Sequence, residues 1–335
     1  MTPALAAPLF VASVLMMLVA SAQFARRLDH IGLRLGLPEA LLGLLTALAA
    51  DAPEISSAIS ALVQHDHAVA VGVVVGSNAF NIAAMLGLSA VVAAPLRARR
   101  EALELEAFVG LWLVAVTLAV VAGGLGATTG AALVAVVVVP YVVLLAAGPR
   151  LVPRLPLAGA ETRFLSRSFG EGHRPAHPLD SHRALAGLAA VLLAALCLIV
   201  AGSVGAVRAA TDLAHAWSVP PSLVGVVVLA ILTSLPNAWT GVRFGLQHRG
   251  TALMSETLNS NSINLVAGLA VPAALGIFGT FSGLAVFDLA WLLGMTAAAL
   301  VLFGRRAGAG RPAGACLIVL YAAFLAVQIA ARASS

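Results

Sequence analysis

Two carboxylates stand three residues apart within an apolar stretch of the chain, at Asp51 and Glu54. Residues at this spacing share one face of a helix. Each ionised side chain in the core of a bilayer costs at least about 2.5–3.5 kcal/mol on the insertion scale. Two of them require compensation, and no arginine is expected at that depth. A bound cation, a proton or water in a cavity would supply it, so the pair indicates cation or proton chemistry.

A proline between the two acids releases a backbone carbonyl oxygen close to them. Pro53 has no N–H to donate, so the carbonyl four residues earlier, at Ala49, loses its helical partner. A carbonyl released in this way can turn toward a cation, and hard cations are held by oxygen ligands. The sequence therefore predicts a helix that breaks at the acids and directs oxygen atoms toward a cation.

The sequence repeats itself at an offset of 183 residues without a gap. Chance matching in an alanine-rich chain would not readily pair proline, asparagine, glutamine and histidine in one register. The pairs are Ser77-Asn78-x-x-Asn81 with Ser260-Asn261-x-x-Asn264, Pro53 with Pro236, and Gln64-His65 with Gln247-His248. Apolar repeats that carry prolines and polar side chains are typical of broken helices lining a site in the middle of a membrane.

The two copies of the proline segment are alike in shape and unlike in charge. In the second copy the equivalent of Glu54 is the neutral amide Asn237, and Asp51 is answered by Ser234. Both predicted half-sites therefore break at a proline, while both carboxylates belong to the first.

The third and eighth apolar segments are predicted to form the opposing wall. Ser77 and Asn81 are one helical turn apart, as are Ser260 and Asn264, so each pair presents oxygen atoms along one face. Glu256 lies one further turn before Ser260 on that face. Two interpretations of Glu256 stay open: it restores acidity to the second half-site, or it lies near the membrane surface.

A structural interpretation of the polar residues also exists, because serine and asparagine hydrogen bonds hold transmembrane helices together. It accounts poorly for Asp51 and Glu54, since helix association does not need buried carboxylates. Asp288 is a different case. It sits close to the end of a span and is expected at the membrane interface.

Composition makes the chain an integral membrane protein. Of its 335 residues 61% are hydrophobic and 10% are charged, which a soluble domain of this length does not combine. The mean hydropathy is +1.02. Runs long enough to span a bilayer cover roughly 4–24, 37–63, 68–94, 105–123, 127–148, 184–206, 221–246, 251–277, 284–303 and 313–331. Five spans in each copy is an odd number, so the copies are predicted to have inverted topology.

Arginine placement predicts the orientation, because cytoplasmic loops collect positive charge. In a ten-span arrangement nearly all arginines fall on one side, with Arg208 and Arg332 on the other. Both termini are then outside and the linker 149–183 is cytoplasmic, between repeats at 1–148 and 184–335. These loops explain the formal charge of +5, so the charge does not indicate nucleic-acid binding.

The paired motifs resemble those of the sodium/calcium exchanger family, within the wider group of cation/calcium antiporters. Members carry two α-repeats, each with a Gly-Thr-Ser-Leu-Pro-Glu-like stretch followed by Gly-Ser-Asn-x-x-Asn. The corresponding stretches here are Ala49-Ala50-Asp51-Ala52-Pro53-Glu54 with Gly76-Ser77-Asn78-Ala79-Phe80-Asn81, and Leu232-Thr233-Ser234-Leu235-Pro236-Asn237 with Asn259-Ser260-Asn261-Ser262-Ile263-Asn264. The similarity is strong over 36–94 and 219–277 and topological elsewhere.

The resemblance implies an antiporter of ten helices whose central helices bind sodium and calcium alternately while two helices slide across them. Family ligands fall on side chains of both halves, and backbone carbonyls at Ala47 and Ala230 occupy sodium-liganding positions. The predicted cation ligands combine the positions that match family ligands with the residues that share a helix face with them in this sequence. They are Asp51, Glu54, Ser77, Asn81, Thr233, Ser234, Asn237, Ser260, Asn264, Ala47, Ala230 and Glu256.

The sequence departs from the family pattern at the charged positions. The first-half Thr and Ser are replaced by Ala50 and Asp51, and the second-half Glu by Asn237. Asp51 offers a substitute charge one turn from Glu54. Two carboxylates this close repel each other, so a shared proton could replace an ion in the cycle.

The expected function is secondary antiport of cations by alternating access in the cell membrane, with sodium/calcium exchange first. The alternative is proton-coupled exchange of calcium or sodium at the Asp51–Glu54 pair. No cofactor is expected, and the expected partners are inorganic cations and the lipid bilayer, with no nucleic acid. A membrane enzyme is disfavoured, because there is no His-Glu-x-x-His motif and the two acids share one helix.

Overall fold

The computed structural model describes residues 1–34, 45, 47–98, 100–147, 182–220, 223–276, 283–305 and 308–333. Regular structure in these ranges is helical, apart from an isolated bridge between Leu96 and Ala309. The helices are α1 Pro3–Arg34, α2 Ala52–Val63, α3 His67–Ala93, α4 Arg100–Val121, α5 Ala127–Ala147, α6 His182–Ala216, α7 Val224–Thr233, α8 Leu235–Leu246, α9 Gly250–Leu265, α10 Gly283–Phe303 and α11 Arg311–Ala333.

Seven of these helices are long and apolar enough to cross a membrane, and the number is eight if α7 and α8, which are bent by 50° at the break between them, count as one span. The predicted all-helical membrane architecture is confirmed at this level. The helices α1 and α6 run well past the predicted ends of their spans, because their polar last turns continue the helix beyond the apolar run. The count of ten spans stays a prediction. The linker 149–183 lies outside the described residues, except where α6 begins at His182.

The two proline segments break at equivalent residues with nearly the same backbone. Asp51 precedes α2 with φ −84° and ψ −4°, and Ser234 precedes α8 with φ −87° and ψ 1°. Proline stands at the second position of each following helix, where its missing N–H costs no helical hydrogen bond. The sequence therefore places a helix start directly after Asp51 and after Ser234.

Matching irregularities recur elsewhere in the two copies. The turns that follow α2 and α8 each hold a histidine with positive φ, His65 at 63° and His248 at 54°. Wide π-helical turns occupy Ile82–Leu88 in α3 and Val266–Ala270 directly after α9. Turns of this kind inside a helix occur mostly at functional sites. The repeat seen in the sequence is thus also a repeat of local backbone structure.

Helix α3 lies at the centre of the molecule and packs closely on α7. A Cβ added at Gly76 would come within 2.6 Å of the carbonyl oxygen of Val226, and one added at Gly225 within 2.8 Å of that of Val69. Only glycine allows two helices to approach this closely. On the other side of the breaks, α1 packs along α6, with Gly202 against the backbone of Ser13.

Candidate cation site

The site lies where α2, α3, α8 and α9 meet. Its side chains are fully buried: Asp51, Glu54, Ser77, Asn81, Thr233 and Ser234 are 0% exposed, and Asn237, Ser260 and Asn264 are 1% exposed. The backbone breaks bring α2 and α8 to the same depth as the asparagines of α3 and α9. The four helices come from both copies, so neither copy alone forms the site.

The two acids belong to one copy, and the groups that donate hydrogen bonds to them belong to the other. Asn237 Nδ2 donates to Asp51 Oδ1 at 2.7 Å and to Glu54 Oε1 at 3.2 Å. Ser234 Oγ donates to Glu54 Oε1 at 2.9 Å, and Ser260 Oγ donates to Asp51 Oδ1 at 2.6 Å. Short bonds to ionised acceptors are among the stronger hydrogen bonds in proteins. The substitution of Glu by Asn at position 237 therefore supplies a donor where a second acid would repel.

Four oxygen atoms at the site are buried without a hydrogen-bond partner among the described residues. They are Asp51 Oδ2, Glu54 Oε2, Asn81 Oδ1 and Asn264 Oδ1. A buried acceptor left unpaired costs about 1–3 kcal/mol, and more when it is charged. Carboxylate and amide oxygens are also the ligands that Ca²⁺ and other hard cations prefer. The residues present therefore fit a cation.

A reciprocal pair of asparagines holds α3 against α9. Asn78 Nδ2 donates to the carbonyl oxygen of Asn261 at 3.0 Å, and Asn261 Nδ2 donates to the carbonyl oxygen of Asn78 at 3.1 Å. This reciprocal pair of hydrogen bonds is what a local two-fold relation between the copies would produce.

The same two asparagines fix the ligand amides. Asn264 Nδ2 donates to Asn78 Oδ1 at 3.1 Å, and Asn81 Nδ2 donates to Asn261 Oδ1 at 3.4 Å. Each ligand asparagine thus has its NH₂ group occupied and its oxygen unpartnered. The sequence motif contained Asn78 and Asn261, but their positioning role depends on contacts between the copies.

Several predicted ligands bond elsewhere. Ser77 Oγ donates to the carbonyl oxygen of Val74 in its own helix, at 3.2 Å, and Thr233 Oγ1 donates to the carbonyl oxygens of Leu229 and Ala230, at 2.9 and 3.3 Å. A hydroxyl that donates to its own helix keeps its lone pairs for another partner. These two residues line the site without contacting either acid.

The backbone oxygens of the breaks are partly occupied. The carbonyls of Ala47 and Ala230 accept from the N–H groups of Asp51 and Ser234, at 2.8 and 3.2 Å. The carbonyl of Ala49, which Pro53 releases, accepts from Ser21 Oγ on α1 at 3.1 Å. A neighbouring helix thus supplies the donor that Pro53 removes, and the turning of the Ala49 carbonyl toward a cation stays a prediction.

Two further carboxylates lie outside the hydrogen-bond network of the central acids. Glu256 is half-buried and forms no hydrogen bond with any described residue, and its charge interacts with those of Asp51 and Glu106. It lies beside the acids without joining their network. Asp288, expected at the interface, is 1% exposed and accepts from Gln328 Nε2, so it is buried between helices, and its depth in the membrane stays a prediction. A polar partner on α11 compensates for its burial, and sequence position near a span end did not reveal that partner.

The fold and the site define a helical membrane protein with a buried, oxygen-lined acidic centre. Comparison with families of known sequences gives the sodium/calcium exchanger protein family, matched over residues 5–146 and 187–330. The chain belongs to this family. Comparison with curated proteins gives no match.

Solved structures resemble the whole chain in fold. The sodium-calcium exchanger NCX_Mj is 19% identical with a TM-score of 0.64, over 97% of this chain and 99% of that one. In another of its structures, identity is 20% and the TM-score is 0.61, with the same coverage. The H⁺/Ca²⁺ exchanger CAX is 14% identical with a TM-score of 0.73, over 96% of this chain and 82% of that one. At sequence identities this low, the comparison shows that the proteins share a fold.

Proposed function

We propose that the protein is a secondary active antiporter that exchanges sodium for calcium by alternating access. The observation that carries the proposal is the set of four buried, unpartnered oxygens contributed by α2, α3 and α9. Two belong to carboxylates and two to amides, a ligand set suited to a hard cation. A stable protein would not bury such a set without a use for it.

The charge of the site explains how exchange is coupled. Asp51 and Glu54 carry two negative charges when ionised, and no basic side chain of the described residues pairs with either. One calcium ion or two sodium ions would neutralise the pair. The charged, unloaded site is costly to carry through the low-dielectric core, whereas either loaded site is neutral. The protein therefore changes between its two open states only when it is loaded, and that restriction is exchange.

The proposal includes the ten-span, inverted-repeat architecture predicted from the sequence. The matching breaks at Asp51 and Ser234, and the reciprocal bonds between Asn78 and Asn261, support a two-fold relation between the copies. In this arrangement both termini are outside, the segment 149–183 is cytoplasmic, and the helices occupy the cell membrane. The helices α1 and α6 would be the pair that slides across the central four.

The cation ligands of the proposal are the predicted ones, ranked by their contacts. Asp51, Glu54, Asn81 and Asn264 have oxygens facing no other group. The second rank is formed by residues whose oxygens already take part in hydrogen bonds: Ser77, Thr233, Ser234, Ser260 and the carbonyls of Ala47 and Ala230. Asn237 supports the acids by donating to both. Glu256 adds negative charge close by.

A proton-coupled cycle is the second candidate, and one contact favours it. Asn237 Nδ2 donates to both acids, so Asp51 and Glu54 converge on one group and repel each other when both are ionised, which favours binding of a proton by one of them. The H⁺/Ca²⁺ exchanger CAX has a similar fold. Against it, a proton on Asp51 Oδ2 or Glu54 Oε2 would find no acceptor among the described residues. Sodium coupling is therefore the first candidate.

Calcium uptake into proteoliposomes tests both candidates. Vesicles containing the purified protein receive an outward sodium gradient, an outward proton gradient or neither, with the membrane potential clamped. The Glu54→Gln variant, reconstituted in parallel, measures leak. Uptake driven by sodium supports sodium/calcium exchange. Uptake driven only by protons supports the second candidate, proton-coupled exchange. No uptake under either gradient, from protein that is folded and inserted, overturns calcium exchange.

A further inference from the structure

A second buried carboxylate lies outside the central site, on α4. Glu106 Oε1 accepts hydrogen bonds from Ser255 Oγ and, at 3.5 Å, from Asn259 Nδ2, both on α9. Tyr141 on α5 donates to Asn259 Oδ1 at 2.7 Å. Three helices thus contribute to one polar cluster within a membrane protein. We call Glu106, Tyr141, Ser255 and Asn259 the α4 cluster.

The carboxylate of this cluster has one oxygen with nothing to bind. Glu106 as a residue is half-buried, but its carboxyl group is covered and Oε2 has no hydrogen-bond partner among the described residues. The exposed area therefore belongs to the stem. No basic side chain in the described part of the chain pairs with Glu106. A buried, unpaired carboxylate oxygen requires a cation or a proton.

The surrounding atoms favour a cation over a proton. A proton on Oε2 would need an acceptor, and the described residues place none within reach. Ser255 Oγ donates to the carboxylate and accepts one bond from Asn259 at 3.4 Å, which leaves it one lone pair, and Tyr141 brings a second hydroxyl oxygen to the cluster by its bond to Asn259. One carboxylate with neutral oxygens matches a single positive charge. A monovalent cation such as sodium would neutralise Glu106, the one carboxylate of the cluster.

The α4 cluster lies between one end of the molecule and the central site. The loop at Arg97 packs against Gly250, the first residue of α9, so the starts of α4 and α9 are at the same end, which we call the arginine end. Glu106 follows the start of α4 by six residues, about 9 Å along the helix. Ser260 follows the start of α9 by ten residues, about 15 Å. On α9, Glu256 directly follows Ser255 of the cluster and precedes Ser260 of the central site by one turn.

The other copy has no such cluster. At the offset of 183 residues, Ser255 and Asn259 correspond to Gly72 and Gly76, and Glu256 to Val73. Glu106 corresponds to Leu289, and Tyr141 to Phe324. Every polar member is thus apolar or glycine at the equivalent place. The equivalent helices α10 and α11 carry a different polar contact, in which Asp288 accepts from Gln328, so the composition of the α4 cluster is particular to the first copy.

We propose that Glu106, with Ser255, Asn259 and Tyr141, forms a second binding site for a monovalent cation, at which sodium waits between the arginine end and the Asp51–Glu54 site. As a waiting site it rests on the proposed exchange function, whereas cation binding by the cluster does not. The site exists at one end only, so it makes the two faces of the transporter unequal in their response to sodium.

Equilibrium binding of radioactive sodium to purified protein tests the site itself. The Glu54→Gln background disables the central site, and an inert organic cation replaces sodium in the blank. We expect this background to retain one saturable sodium site. Adding Glu106→Gln should weaken it roughly tenfold or more, since a charged ligand is lost. Adding Glu104→Gln, which removes an equal charge from the same helix two residues away, should leave it in place.

Two results would overturn the site. One is the absence of saturable sodium binding in the Glu54→Gln background at both acidic and alkaline pH. The other is binding that Glu106→Gln does not change. Should Glu106→Gln reduce the yield of folded protein, Tyr141→Phe keeps the charge and removes one hydroxyl, and we expect roughly threefold weaker sodium binding. Unchanged binding in Tyr141→Phe would remove Tyr141 from the site.

Flux in vesicles of known orientation tests the waiting role. Glu106→Gln should raise the half-saturating sodium concentration severalfold when sodium is supplied at the arginine end, and leave it unchanged at the opposite end. An equal rise at both ends would overturn the waiting role. If wild-type protein shows no sodium-driven flux, the exchange proposal fails, while sodium binding to the Glu54→Gln protein still decides the α4 cluster.

Discussion

The two broken segments of this protein have the same backbone and opposite chemistry. At the first break, Asp51 and Glu54 accept hydrogen bonds, and at the second, Ser234 and Asn237 donate to them. The torsions of Asp51 and Ser234 agree within 5°. Proline fixes the shape of each break, while the charge depends on side chains that do not affect that shape. Acidity can therefore move from one half of such a site to the other without rebuilding the fold.

The largest expected effect is the loss of the inherited acid in the first half. Glu54→Gln keeps the size of the side chain and removes one of the two charges that a calcium ion needs. We expect calcium flux in proteoliposomes to fall by about 100-fold or more. The matched variant is Asn237→Gln at the equivalent position of the second half, which carries no charge to lose. Flux near the wild-type level in folded Glu54→Gln protein would contradict the assignment of the site.

Asp51→Asn tests whether the carboxylate at Asp51, in the first half, takes part in binding the cation. Asp51 receives the shortest hydrogen bonds of the central site, from Ser260 at 2.6 Å and from Asn237 at 2.7 Å. We expect a loss of flux nearly as severe as that of Glu54→Gln, roughly 10- to 100-fold. Flux equal to that of the wild type would mean that only the positions shared with the family bind the cation.

Moving the charge back across the site should partly restore a symmetric exchanger. Asn237→Glu alone adds a third carboxylate beside two others, and we expect it to lower the melting temperature and abolish flux. Combining it with Asp51→Ser returns the count to two acids, one in each half. We expect the double variant to regain flux and stability relative to Asn237→Glu. A double variant no better than the single would show that the halves are not interchangeable.

Gly76 tests the packing difference between the copies, because its counterpart in the second copy is Asn259. A methyl group at Gly76 would lie 2.6 Å from the Val226 carbonyl oxygen and 2.8 Å from the Ala230 side chain. We expect Gly76→Ala to destabilise the protein by about 1–3 kcal/mol, measured as thermal unfolding in detergent. Asn259→Ala, which removes atoms, should not produce this clash. Equal stability of Gly76→Ala and the wild type would rule out the close approach of α3 and α7.

The smallest expected effect compares two serines at equivalent positions. Ser260 donates to Asp51 at 2.6 Å, whereas Ser77 donates to the carbonyl of Val74 in its own helix. We expect Ser260→Ala to weaken calcium affinity roughly tenfold and Ser77→Ala to weaken it less, because only the first removes a bond to an acid. The measurement is calcium binding to purified protein. A larger loss in Ser77→Ala would reverse the ranking of these ligands.

The features that repeat along the chain could be read from the sequence. Proline chemistry predicts the breaks before Pro53 and Pro236, and apolar runs predict the long helices. The spacing of Ser77, Asn81 and their counterparts predicts that they share helix faces. These signals are local, since each depends on residues within a few turns of one another.

Contacts between the copies could not be read in this way. The bond between Asp51 and Asn237 joins residues 186 positions apart, and neither residue has a family equivalent of the same type. Glu106 carries no motif in the sequence, and its hydrogen-bond partners Ser255 and Asn259 are 149 and 153 residues away. The bond between Asp288 and Gln328 joins residues on two different helices, 40 positions apart. No local pattern encodes which partner a buried carboxylate receives.

The sequence by itself determined that this protein is a duplicated helical membrane protein with two acids at a proline break. Propensity, proline geometry and the cost of charge in a bilayer act at short range and leave their mark on neighbouring residues. Only the tertiary structure decided that Ser21 occupies the carbonyl of Ala49 and that Asn237 serves both acids. Those outcomes depend on how helices pack, and burial then makes each donor and acceptor find a partner, or leaves its oxygen for a cation.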